Sequence, residues 1–216
     1  ICTVEYTKIM KGLLGSEKPM TFKGTYYSVH GLTLTPSLPH SLFPEILISG
    51  SSPAGLAAAR AIEATAIRYP KPPSEVESEE TDGLPSGIRL GIVARTTNEE
   101  AWKVANERFP ETRRGRLQHT LAMKVSDSHW HHQLSKSDGR HASDNPDQPY
   151  WLGPFQNYQT FCPYLVGSYE DVARALAAYL RKGFQSLILD IPPSHDELEH
   201  TNTTIELAEE LALKHG

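Results

Sequence analysis

From about residue 3 to 14 the chain keeps helical spacing. Val4, Ile9, Leu13 and Leu14 recur among polar residues until Gly15 ends the run. Thr21 to Val29 changes rhythm: aromatic and β-branched residues flank Gly24, a pattern that predicts a small hairpin. Leu32 to Phe43 is broken by prolines and reads as loop. Ile46, Leu47 and Ile48 form an apolar run of strand length, followed by Gly50, Ser51 and Ser52 and then a helix entered at Pro53. Ala64 to Tyr69 predicts another short strand. The acidic, proline-rich run from Pro70 to Glu80 offers little to bury and reads as loop.

The second half continues the alternation. Gly87 to Arg95 is the clearest strand, and Asn98, or the threonine before it, caps a helix carrying Ala101, Trp102, Val104 and Ala105. Residues 111–135 are polar and helical in part, and 137–148 read as loop. Ser168 with Asp171 three residues on resembles a capping box in which aspartate replaces glutamate. The helix it opens keeps Val172, Leu176, Tyr179 and Leu180 on one face. Phe184 to Asp190 is a last strand, and Ser194 to Lys214 a last helix. Strands alternating with helices predict an α/β fold of parallel β/α units. We count four, near 45–60, 64–70, 87–108 and 185–213, in a single domain with an insertion near 111–165. A closed TIM (β/α)8 barrel needs eight, so the chain reads as the C-terminal half of one. It enters helical pattern at Ile1 without a methionine, so a partial chain is expected. Open sheet edges then favour pairing with a missing N-terminal half-barrel or a second copy.

Composition narrows the class. The 216 residues are 38% hydrophobic and 22% charged, which suits a globular protein. The net charge of −5 argues against nucleic acid as the main partner. No apolar run reaches membrane-spanning length and no signal peptide is visible. Cys2 and Cys162 lack metal-ligand spacing, so a reducing, cytoplasmic setting is expected.

Several positions carry candidate chemistry. In the turn Gly50, Ser51, Ser52, Pro53, Ser52 suits an N-cap and Pro53 the first helical turn. Backbone N–H groups and two hydroxyls would then face one spot before a helix dipole, a seat for phosphate, or simply a capped turn. Arg89 lies between Ile88 and Leu90 and faces opposite to them. If those two face helices, the arginine points into the barrel, as an active-site cation or as half of a structural ion pair. His129 and His132 share a helical face beside His131. No third ligand is specified, so no metal site is predicted, and His129 is a candidate general acid or base. Asp190 ends the last strand on the face where barrel active sites form, yet a cap for the helix at 194 is the favoured role. Tyr150 and Trp151 either cover a cofactor ring or pack a core, and Cys162 reads as a small buried side chain.

Six pieces occur in a telling order: Glu5-Tyr6 through Leu14, Phe22 to Tyr27, Ile48 to Ser52, Gly87 to Leu90 with Thr97 to Trp102, Tyr150 to Gly153, and Leu165 to Ser168. In that order the chain resembles the C-terminal half of the luciferase-like, flavin-dependent monooxygenases, and within them the alkanesulfonate monooxygenase branch. Tyr69 to Pro73 and Pro154 to Tyr164 look more like relatives that accompany natural-product biosynthesis. The resemblance implies a TIM barrel with an insertion region. It also implies reduced flavin mononucleotide (FMN) from a separate flavin reductase, oxygen as co-substrate, and a small organic or carrier-bound substrate. Gly50, Ser51 and Ser52 match the flavin-phosphate turn. Arg89 matches an active-site arginine, and Arg140 a mobile arginine that closes over the site, unless it is a solvated loop residue. Two departures stand out: Gly91 where the family often has histidine, and Ile191-Pro192 near where the sulfonate branch has tyrosine. A catalytically silent half-barrel serving as an interaction subunit and a related barrel using a deazaflavin are the competing readings.

Overall fold

The computed structural model of the protein describes residues 2–49, 52–76, 83–126 and 148–214. The chain divides into two compact units, residues 1–66 and 67–216.

In the first unit, helix α1 (Cys2–Leu14) is ended by Gly15, whose N–H donates to the Lys11 carbonyl. Of the expected apolar stripe only Ile9 is fully buried; Glu5 and Thr7 share its burial. The reason is a hairpin of β1 (Met20–Lys23) and β2 (Ser28–Leu32), paired antiparallel around Gly24 as its sequence predicts. The Glu5 carboxylate accepts the backbone N–H groups of Thr25 (2.7 Å), Tyr26 (2.9 Å) and Tyr27 (3.0 Å) at the hairpin turn. Burial pushes its pKa up, but those three bonds outweigh burial and hold it below the ordinary carboxylate value. A side chain at Gly24 would collide with this carboxylate, so the glycine is required for close approach. Strand β3 (Leu47–Ser49) leads to α2 (Pro53–Ile62), which packs on α1; Lys11 Nζ donates to the Ile62 carbonyl over 2.6 Å. Helix α2 ends at Glu63 in the left-handed conformation, φ 55°. Strand β4 (Thr65–Arg68) follows at once, with Thr65 N donating to the Ile46 carbonyl beside β3.

The second unit is built on β5 (Ser86–Arg95), ten residues long. Its first half pairs in parallel with β8 (Phe184–Leu189), Arg89 opposite Ile188. Its second half pairs in parallel with β7 (Tyr164–Ser168), Val93 opposite Val166. Gly91 N donates to Pro163 O, while Leu90 O accepts from Asp190 N. Successive residues present backbone groups to opposite edges, so β7 and β8 flank β5 on opposite sides. Strand β6 (Tyr150–Trp151) extends β7 antiparallel, and both lie in or at the end of the expected insertion.

Helices α3 (Asn98–Arg108), α4 (Arg113–Val125), α5 (Gly153–Gln156), α6 (Tyr169–Arg181) and α7 (His195–Leu213) complete the unit. Ile88, Leu90, Ile92 and Ala94 from one face of β5 form a core with Val172, Leu176 and Tyr179 of α6 and Ala208 of α7. Val93 on the other face joins Ala101, Trp102 and Ala105 of α3. Thr97, not Asn98, caps α3, its hydroxyl accepting from Glu100 N. Asn98 instead completes the next cap. Ser168 Oγ accepts from Asp171 N, and the Asp171 carboxylate takes the Ser168 hydroxyl (2.7 Å) and the Asn98 amide (2.8 Å). The Ser168 N–H, which a capping box would give to residue 171, goes to Asn98 Oδ1 over 2.5 Å. Aspartate is one methylene too short for the reciprocal bond, and asparagine supplies it from another helix.

Pro70 to Val76 corrects the expectation that this stretch has little to bury. Val76 lies in the core, and the Tyr150 and Tyr179 hydroxyls donate to the Pro70 and Lys71 carbonyls over 2.8 and 2.6 Å.

Candidate functional site

The packing of Ile88 and Leu90 against α6 and α7 turns Arg89 to the opposite face of β5, as strand alternation requires. There its Nη2 donates to Asp190 Oδ1 over 3.3 Å. Asp190 directly follows β8, and its second oxygen accepts the Tyr164 hydroxyl over 3.1 Å. The carboxylate is thus held from both sides, by a cation from β5 and a phenol from β7.

Tyr164 reaches Asp190 because residue 91 has no side chain. A Cβ on Gly91 would run into the Tyr164 ring. Phe109 packs edge-on against that ring, 4.8 Å between centroids. Burial raises the Tyr164 pKa and the Asp190 charge raises it further, so the phenol stays protonated and can only donate to the carboxylate. Arg89 is pulled down by burial and up, on balance, by its bond to Asp190. Its side chain keeps 36% exposure, yet its Nε–H is buried without a hydrogen-bond partner among the described residues. One end of the guanidinium is tied to Asp190 while part of the side chain stays exposed.

Cys162 completes the cluster. It is fully buried, and its thiol is pushed well up by burial and by Asp190, with Arg89 opposing. It is inert packing, as its sequence position suggests. Beyond Asp190, a cleft is lined by Tyr164, Leu189, Ile191, Arg108 and Glu197 among others. Glu197, at the start of α7, accepts from both Arg95 and Arg108, the latter over 2.6 Å. Burial works against its charge, but the two guanidinium bonds prevail and hold its pKa below the usual carboxylate value.

The structure therefore corrects one expectation and settles another. Asp190 does not cap the last helix; Ser194 does, its hydroxyl accepting from Glu197 N over 3.2 Å. Trp151 is core, buried beside Trp102 with ring centroids 5.3 Å apart, and Tyr150 is tied to Pro70. Among the described residues no three His, Cys, Asp or Glu side chains are grouped to hold a metal. His129, His131, His132, Arg140, Gly50 and Ser51 lie outside the described residues.

Ser52 is described, in the first unit. It is exposed and caps α2, its hydroxyl accepting from Gly55 N over 3.1 Å ahead of Pro53. Among the described residues its O–H has no acceptor, and an anion at that helix start could take it. The sequence singles out Arg89 and Ser52 as candidates but gives no such notice of Tyr164. A glycine in the middle of a strand marks close approach by another group, and that was the available signal.

Comparison with known proteins agrees with this architecture. The chain is 36% identical over 203 residues to the 4-(gamma-L-glutamylamino)butanoyl-[BtrI acyl-carrier protein] monooxygenase BtrO of Niallia circulans. That alignment covers 91% of this chain and 58% of BtrO, so the chain spans little more than half of that relative. Among solved structures, long-chain alkane monooxygenase LadA superposes with a TM-score of 0.59 at 17% identity, over 89% of this chain and 47% of LadA. DmoA from Hyphomicrobium sulfonivorans gives 0.58 at 14%, over 95% and 52%. An F420-dependent secondary alcohol dehydrogenase gives 0.55 at 16%, over 95% and 60%. At such identities these three share the fold, that of a partial barrel here. Residues 2–186 match the luciferase-like monooxygenase family, and the chain belongs to it.

Proposed function

We propose that this chain is part of a flavin-dependent monooxygenase that takes reduced FMN from a separate reductase and oxidises an acyl substrate bound to a carrier protein. The observation that carries the reading is the 36% identity to BtrO, which spans nearly the whole chain and whose name specifies a carrier-bound substrate. Gly91, a departure from the sulfonate-type pattern, favours this branch over alkanesulfonate chemistry. Reduced flavin supplies the two electrons that let one oxygen atom enter the substrate while the other leaves as water.

The chemistry of Ser52 and Arg89 supports this reading. Ser52 offers an outward hydroxyl at the start of α2, and with Gly50 and Ser51 it would hold the phosphate. Arg89, anchored by Asp190, would balance negative charge on the substrate. Asp190 and Tyr164 fix the guanidinium, and Tyr164, kept protonated, adds no charge of its own.

The test is turnover by the full-length protein with FMN, a flavin reductase and an acyl-loaded carrier protein, read by mass spectrometry with isotopically labelled oxygen. Incorporation of one labelled atom, with Ser52→Ala weakening FMN binding about tenfold, is expected. Binding of a deazaflavin in preference to FMN, or no flavin binding at all, would reject the proposal in favour of the dehydrogenase-like or the silent half-barrel reading.

A further inference from the structure

Helix α4 has two faces of opposite use. Gly115 and His119, four residues apart, are its buried face: Asn157 leaves no room for a side chain at 115, and the His119 ring meets Phe155 edge-on. Among the described residues nothing covers the other side, where Leu117 (60%), Leu121 (54%) and Val125 (84%) are exposed. At intervals of four these form an apolar stripe about 12 Å long, since each residue rises ~1.5 Å. Arg113, Arg114 and Lys124 lie within a turn's width of the same line, and all three are exposed. The helix holds no aspartate or glutamate. In a chain with 26 acidic and 21 basic residues, a helix with four cations and no anion runs against the net charge.

A row of large apolar side chains left in water costs solubility and marks an interaction surface. We infer that this face of α4 docks the carrier protein itself, through an acidic amphipathic helix whose apolar strip would cover Leu117, Leu121 and Val125 while its carboxylates meet Arg113, Arg114 and Lys124. This rests on the carrier-bound reading above and adds where the carrier sits. Charge complementarity selects the occupant. A second copy placed symmetrically would bring basic face to basic face. Nucleic acid would reward the cations but not the leucines. An acidic helix rewards both, in the manner of an amphipathic helix laid against an apolar surface.

The experiment uses the full-length protein and, as probe, pantetheine-bearing BtrI acyl-carrier protein labelled for fluorescence anisotropy. Binding should fall about tenfold in Arg113→Glu/Arg114→Glu, fall similarly in Leu121→Ser, and weaken with added salt. Lys103→Glu, an exposed charge change on α3, should leave it unaltered. Oxidation of a short acyl-pantetheine thioester separates the two proposals: the charge-reversed protein should oxidise it at the wild-type rate while its KM for the carrier-bound form rises. If wild type oxidises the short thioester but α4 variants bind the carrier unchanged, or wild type does not bind it, the docking site is wrong and the monooxygenase reading stands. Binding of anionic lipid vesicles or DNA in place of the carrier, or an oligomer that dissociates on charge reversal, would equally overturn the assignment. Failure to oxidise either substrate would instead count against the underlying function.

Discussion

Tyr164 lies over Gly91 and spends its hydroxyl on Asp190, 3.1 Å away, so the same carboxylate that holds Arg89 is itself held by a buried phenol. The two positions depend on each other: the ring occupies the volume a side chain at 91 would need. Gly91→Ala should therefore destabilise the protein by roughly 1–3 kcal/mol through overpacking, measured by urea denaturation. Tyr164→Ala alone should also destabilise it, but in that background Gly91→Ala should cost little. Additive losses in the double variant would show that ring and glycine are not coupled.

Tyr164→Phe isolates the hydroxyl. It removes one bond to the Asp190 carboxylate and should cost about 1 kcal/mol. If the proposed monooxygenase activity is assayed, it should lower kcat more than it raises KM, because Arg89 stays present but less well held. Asp190→Asn should resemble it, and Arg89→Lys should not rescue activity, since a point charge cannot keep one donor on Asp190 while offering others. Recovery by lysine would argue that only the charge matters.

Glu197 gives a pH dependence with a definite sign. Its folded pKa lies below the ordinary 4.5, held down by Arg95 and Arg108. The stabilisation is thus complete above the unfolded value and disappears as pH falls from about 4.5 through the lower folded pKa. Melting curves from pH 7 to 3 should show wild type losing stability across that window. Glu197→Gln should start lower, by about 2–3 kcal/mol at pH 7, because two partly buried cations lose their partner. Its profile should be flatter below pH 4.5. Parallel profiles for the two proteins would remove Glu197 from the acid response.

The Glu5 latch links two elements that sequence reading treated separately. Protonating or neutralising the carboxylate releases three amides at the hairpin turn. Glu5→Gln should speed hydrogen exchange at Thr25, Tyr26 and Tyr27 selectively, with amides of α2 unaffected. In wild type the protection should persist at neutral pH and be lost only below the ordinary glutamate range, because this pKa too is lowered. Unchanged exchange in the variant would mean the turn stands without Glu5.

Element type was legible where periodicity is local. The four counted strands and the helices capped by Ser52, Ser168 and Ser194 all form, with boundaries shifted by a residue or two. What escaped was tertiary. Tyr164 begins a strand because the second half of β5 offers β7 a parallel pairing edge on the side away from β8. Glu5 sits on the buried side of α1 because a hairpin 20 residues on supplies three N–H groups, which helical spacing cannot foretell. Arg89 was placed correctly because alternation is a local rule. Its partner was not, since Asp190 is equally able to cap a helix five residues on, and only the packing of Tyr164 decides between them.

Glu63 offers a test of local strain independent of any cofactor. It closes α2 at φ 55°, a region that costs a β-carbon-bearing residue about 1 kcal/mol. Its N–H bonds to Ala59 and Arg60 carbonyls, and Ala64 N also returns to Ala59, so the backbone conformation is fixed by the cap and not by the side chain. Glycine adopts this geometry freely and is the usual residue where a helix ends in the left-handed conformation. Glu63→Gly should therefore stabilise the protein by about 0.5–1 kcal/mol, less the entropy glycine adds to the unfolded chain. Glu63→Val, β-branched, should lose more than 1 kcal/mol in the same denaturation experiment. If glycine and valine give the same midpoint, the left-handed cap is not the conformation the chain adopts in solution, and the abrupt passage from α2 into β4 must be made some other way.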